Sequence, residues 1–123
     1  MTHYMKLNAG PFALMAGGLK TIELRLNDEK RQTVQIGDRI VFSNASNENE
    51  QITVQVVDLH RFGDFAELYT SLPLDTCGYL PEQMGTASPA DMDAYYSAEQ
   101  QARYGVLGIE VTLVPAQACD DAD

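Results

Sequence analysis

Lys20, Thr21, Glu23 and Arg25 form the densest polar group in the chain, inside the alternating stretch KTIELRL (20–26). Alternation places Ile22, Leu24 and Leu26 on one strand face and Thr21, Glu23 and Arg25 on the other, with Lys20 at the strand mouth. On a solvated face these side chains are ordinary exposed partners. Lining a cleft, a lysine, an arginine and a carboxylate can hold a phosphate or carboxylate and move a proton. Lys20 and Glu23 are therefore the candidate catalytic residues, and Thr21 and Arg25 the candidate substrate-binding ones.

Glu99 is the third catalytic candidate. Met92, Tyr95, Tyr96 and Glu99 recur at i, i+3, i+4 and i+7, the spacing of one helix face. A carboxylate on an apolar stripe needs a cation or water, and Lys20 or Arg25 could be its partner. The alternative is that it sits at the stripe's edge and reaches solvent. Tyr79, Tyr95, Tyr96 and Tyr104 read chiefly as core, with Tyr104 as the candidate for stacking on a base. His3 and His60 read as isolated histidines, and Glu82, Asp91 and Asp93 as helix-start and loop charges. No nucleophile elbow, phosphate loop, HExxH or dinucleotide fingerprint occurs.

The elements that must position these residues follow from pattern. His3–Leu7 reads as a strand and Phe12–Ala16 as a short helix opened by Pro11. After KTIELRL comes a polar turn at Asn27–Arg31. Arg39–Ser43 and Gln51–Phe62 read as strands flanking a loop, NASNENE (44–50), with Ile52, Val54 and Val56 on one face. Asp64–Ser71 is a helix and residues 72–86 are irregular. Ser88, followed by Pro89, starts a helix expected to run to about Arg103, where Gly105 ends it. Val106–Val114 is the last strand. About five mostly antiparallel strands with two or three helices make an α+β fold, a small barrel-like sheet over residues 1–114. Residues 115–123 read as an acidic, solvated tail.

Composition bounds the partners. The chain has 123 residues and a net charge of −10, enough for one domain with a modest core. Residues 1–42 carry six basic and four acidic residues; residues 43–123 carry two basic and fourteen acidic ones. The only net-positive third therefore holds the KTIELRL group. This argues against a long electropositive groove and for a small local site. Cys77 and Cys119 form no C-x-x-C pair and read as free thiols of a reducing, cytoplasmic compartment. No membrane span and no signal peptide are expected. No cofactor and no metal-ligating residue is assigned, although a divalent metal is compatible with the cleft.

The run Gly18-Leu19-Lys20-Thr21-Ile22-Glu23-Leu24-Arg25, a G-x-K-x-x-E-x-R pattern between a short helix and a strand, resembles the signature of the ASCH domain, a branch of the PUA-like superfamily. The GDRIVF strand (37–42), the helix DFAELY (64–69) and the YGVLGIE strand (104–110) follow in the same order, and the resemblance covers about residues 3–114. It implies a small β-barrel with helices around a cleft and a role in RNA or nucleotide chemistry. The expected partner is a short single-stranded RNA, nucleotide or nucleoside, with ribonuclease action as one outcome. A second branch deacetylates N-acetylated cytidine with a lysine and a threonine. Its lysine maps onto Lys20, but Glu23 stands at its threonine position. The third reading is a non-enzymatic protein-interaction domain.

Overall fold

The computed structural model describes residues 1–114. The expected tail and Cys119 lie outside them. Five strands form one sheet: β1 (Thr2–Leu7), β2 (Ile22–Leu26), β3 (Arg39–Asn44), β4 (Asn47–Phe62) and β5 (Val106–Leu113). Their order across the sheet is β1-β3-β4-β5-β2. Three of the four ladders are antiparallel; β1 and β3 run parallel. The sheet curls into a half-barrel whose two edges, β1 and β2, are not paired with each other. Among the described residues four α-helices accompany it, α1 (Ala9–Ala16), α2 (Glu29–Gln32), α3 (Phe65–Ser71) and α4 (Ala98–Tyr104), with three 3-10 turns between α3 and α4.

Successive side chains on a strand point to opposite faces, and the sheet is packed on both. Leu107, Ile109 and Val111 of β5 join Phe12 and Met15 of α1, Ile40, Phe42, Val54 and Val56 in one cluster. Val106 of β5 joins Ile22, Leu24 and Leu26 of β2 with Phe65 and Leu68 of α3 in the other. The α1 face and the α3 face each bury a core, which is why β2 is apolar at every second position and still buries the residues between.

The long strand β4 changes phase halfway. Ile52 lies opposite Phe42 and Val54 opposite Ile40, on the α1 face. The ladder to β5 shifts register between Val56 and Asp58. Beyond this bulge the odd positions face α1, with Leu59 opposite Ile109, and the even ones face α3, with Phe62 opposite Val106. One extra residue, Val57, thus lets a single strand serve both cores.

Two local expectations are corrected. The NASNENE loop is shorter than its composition suggests, because only Ala45 and Ser46 form the turn. Asn44 accepts the Ser46 amide at 2.9 Å and donates to Glu50 Oε1 at 2.9 Å, closing the hairpin early. The long helix expected from Ser88 is two pieces. A 3-10 turn spans Pro89–Met92, and α4 starts afresh after Ser97. Ser97 and Gln100 form a capping box, the side chain of each accepting from the other's amide. Gly105 ends α4 at φ 72°, where a Cβ would lie 2.8 Å from the Phe62 carbonyl oxygen. Among the described residues no helix is long and apolar enough to cross a membrane.

Asp38 ties β1 to the turn before β3. It accepts from His3 Nε2 at 2.8 Å and from the Gln35 amide at 3.0 Å. These bonds, the histidine first, hold its carboxyl below the ordinary 3.8. Because the folded value is the lower one, the stabilisation is present above about pH 3.8 and is lost as pH falls through the folded value. Urea midpoints measured downward from about pH 5 should fall less steeply in Asp38→Asn than in the wild type. Equal acid limbs would contradict this assignment.

Candidate functional site

A cleft of about 530 Å³ opens where the two unpaired sheet edges approach. Four segments line it. β1 and the start of α1 give Lys6, Leu7, Asn8 and Pro11. The loop before β2, with β2 itself, gives Lys20, Glu23, Leu24 and Arg25. α3 gives Tyr69. The irregular chain between α3 and α4 gives Cys77, Gly78, Tyr79, Asp91, Met92, Tyr95 and Tyr96. That last segment is the cleft's outer wall, and Tyr96 anchors it by stacking on Phe65 at 5.9 Å between ring centroids.

Glu23 and Arg25 lie opposite Ile109 and Leu107 in the ladder, so they share the α1 face with the core. Their position on an edge strand, with no neighbour beyond, is what lets polar groups occupy this face. Lys20 and Glu23 are each 5% exposed, deep enough that every charge must be matched. Lys20 Nζ donates to the Ile22 carbonyl at 2.9 Å and the Cys77 carbonyl at 2.8 Å, and lies 3.2 Å from Glu23 Oε1. Those partners account for its three donors. Glu23 Oε2 accepts from Arg25 Nε at 2.6 Å, and Arg25 Nη2 donates to the Lys6 carbonyl at 2.6 Å. The chain of contacts Cys77–Lys20–Glu23–Arg25–Lys6 therefore spans the seam of the half-barrel. Gly78 sits at φ 112°, and a Cβ there would lie 3.5 Å from Lys20 Nζ.

A second polar chain lines the opposite wall. Tyr69 and Tyr79 share a hydrogen bond of 2.7 Å between hydroxyls, and Tyr79 Oη donates to Asp91 Oδ2 at 2.6 Å. Burial pushes both phenols up, and Tyr79 is raised further by the Asp91 carboxylate. Both are thus hydroxyls rather than phenolates at neutral pH. Burial likewise raises the Cys77 thiol, which favours its protonated form. Tyr95 is 63% exposed at the cleft rim, the most exposed of the aromatic residues lining the cleft.

Lys20, Glu23 and Arg25 converge as the alternation suggested. Three other candidates do not join them. Glu99 is exposed in the first turn of α4, outside the cleft; the break before Ser97 removes the helix face that would have carried it there. Thr21 precedes β2 and lines a second cavity, of about 220 Å³, with Val54, Val111 and Leu113, on which Lys20 also borders. Tyr104 is half-buried against the α3-face core, with the Arg103 guanidinium 5.0 Å from its ring centroid. Conversely, Tyr69, Tyr79 and Asp91 line the cleft without having stood out by spacing, and Tyr95, read as part of an apolar helix stripe, stands at its rim. The S-x-x-Q run at Ser97–Gln100 was the available signal, because a second helix start there forces the residues before it into a wall.

The model of the ASCH domain family matches residues 5–115. The hypothetical protein PH0355, known from a crystal structure, is 27% identical, with a TM-score of 0.76 over 93% of this chain and 100% of its own. The protein PF0455 from Pyrococcus furiosus is 28% identical, with a TM-score of 0.68 over 93% of this chain and 98% of its own. The ASCH protein from Zymomonas mobilis is 12% identical, with a TM-score of 0.64 over 98% of this chain and 77% of its own, a likeness of fold. No curated protein matches in sequence.

Proposed function

The chain belongs to the ASCH domain family, and we propose that its cleft binds one nucleotide unit of a short single-stranded RNA, without cleaving it. The observation that carries this reading is the pairing of a pinned guanidinium with an aromatic rim in one cleft. Arg25 has N–H groups beyond the two it commits to Glu23 and the Lys6 carbonyl, and the Lys6 ammonium is held only in an exposed pair with Glu48 at 3.1 Å, which a phosphate can replace. Together they suit a phosphate. Tyr95 offers a ring for a base. Asp91 and the Tyr69–Tyr79 hydroxyls supply polar groups for the base edge or the ribose.

Binding is favoured over hydrolysis by what Lys20 is doing. Its donors are committed to two carbonyls and Glu23, so in this structure it turns none toward a substrate. The deacetylase reading further needs a hydroxyl where Glu23 stands. The ribonuclease reading counted on Glu99 as an acid, and Glu99 lies outside the cleft; Glu23 is engaged by Lys20 and Arg25, and Asp91 by Tyr79.

The test is titration with short fluorescent RNA oligomers at low salt. Undetectable binding there would end the proposal. With two phosphate-facing cations, log Kd should vary with log salt at a slope of only about 1.4. Tyr95→Ala should weaken binding by about 1–3 kcal/mol, the worth of one stacked base, and leave the melting temperature unchanged. A Tyr95→Ala variant that binds as the wild type does would contradict the stacking role.

A further inference from the structure

On the α3 face, away from the cleft, Asp58, His60 and Glu110 bring one ligand atom each to within 4.8 Å of one another. We propose that these three side chains bind a divalent transition-metal ion of the zinc class.

The β4 bulge builds this group. Before the register shift the even positions of β4 face α1; after it they face α3, so Asp58 and His60 emerge on the face that carries Glu110. Asp58 stands directly opposite Glu110, and His60 stands opposite Gly108, whose missing side chain leaves the imidazole room. Two carboxylates directly opposite each other in a sheet repel. A cation between them removes that cost.

The spacing suits a small coordination sphere. His60 Nε2 lies 2.9 Å from Glu110 Oε1 and 3.8 Å from Asp58 Oδ2. Ligand atoms held at about 2.0–2.2 Å from one zinc ion are about 3–3.6 Å apart. Asp58 Oδ1 already accepts its neighbour's amide, from Leu59, at 2.8 Å, which steadies the carboxylate while leaving Oδ2 for the metal. The group is partly exposed, with side chains 53%, 26% and 40% accessible, so an ion can enter without unfolding. On binding, the imidazole carries its proton on Nδ1 and gives the Nε2 lone pair to the metal, in place of the hydrogen bond to Glu110. One nitrogen and two carboxylate oxygens favour zinc, manganese or cobalt over calcium or magnesium, which prefer all-oxygen sites.

The chain has two histidines, which makes the test direct. Imidazole proton resonances of the untagged protein are followed by NMR as Zn²⁺ is added, and as Co²⁺ is added for paramagnetic shifts. His60 should respond saturably and His3, engaged with Asp38, should not. Asp58→Asn and Glu110→Gln should each weaken the affinity at least about tenfold and retain the wild-type melting temperature without metal. Calorimetric titration of a Cys119→Ser variant should return the same affinity if the ion is held by β4 and β5 alone, and a lost affinity would overturn the proposal. The proposal is overturned if His60 does not respond at about 1 mM Zn²⁺, if both histidines respond alike, or if Glu110→Gln binds as the wild type does.

Discussion

Lys20→Met is expected to lower the free energy of unfolding by about 3–5 kcal/mol, the cost of breaking a buried ion pair from one side. The substitution removes the only ammonium that the Ile22 and Cys77 carbonyls and Glu23 Oε1 share, and leaves three buried acceptors short of a donor. Urea denaturation measures the loss. The companion variant Lys20→Met/Glu23→Leu should recover only part of it: the stranded carboxylate is gone, but the Ile22 and Cys77 carbonyls stay short of a donor and Arg25 loses its partner. The location of the damage is predictable too. The Lys20–Cys77 bond attaches the irregular wall to the strand mouth, so amide exchange around Gly78 and Tyr79 should quicken more than in β3 or β4. A single variant within about 1 kcal/mol of the wild type would show that the seam is not held this way.

Arg25→Ala should weaken RNA binding by about 1.5–3 kcal/mol, the scale of a hydrogen bond to a charged group. Arg25 is only 15% exposed and is held at two points, Glu23 Oε2 and the Lys6 carbonyl, each 2.6 Å away. It thus loses little further entropy on meeting a phosphate. Arg25→Lys should restore less than half of the lost affinity. An ammonium has no planar fork with which to keep both protein partners and still face the ligand. Equal affinity in Arg25→Lys and the wild type would mean that only charge matters at this position. Full affinity in Arg25→Ala would remove the arginine from the site.

Local pattern is legible wherever one rule governs one element. The β2 alternation, the helix over DFAELYTS and the Gly105 stop after α4 all depend on near neighbours, and all stand in the structure. The misread stretches are those in which two local signals compete. Ser88 and Ser97 are both good helix starts. A helix read from the first hides the second, and with it the wall that carries Tyr79, Asp91 and Tyr95. The β4 bulge is of the same kind: a single residue reverses which side chains face which core, and nothing in the run ITVQVVDLHRF marks Val57 as the one to leave unpaired.

By itself, then, the sequence determined the family, the α+β elements and the convergence of Lys20, Glu23 and Arg25 on a small site in its only net-positive third. Those depend on periods of two and 3.6 residues and on charges close together in the chain. Only the tertiary structure decided how these three side chains are used. Carbonyls of residues 6 and 77, far from β2 in sequence, take up donors that would otherwise be free. Long-range contacts of this sort engage all three donors of Lys20, and leave Arg25 N–H groups and the tyrosine rim facing the cleft.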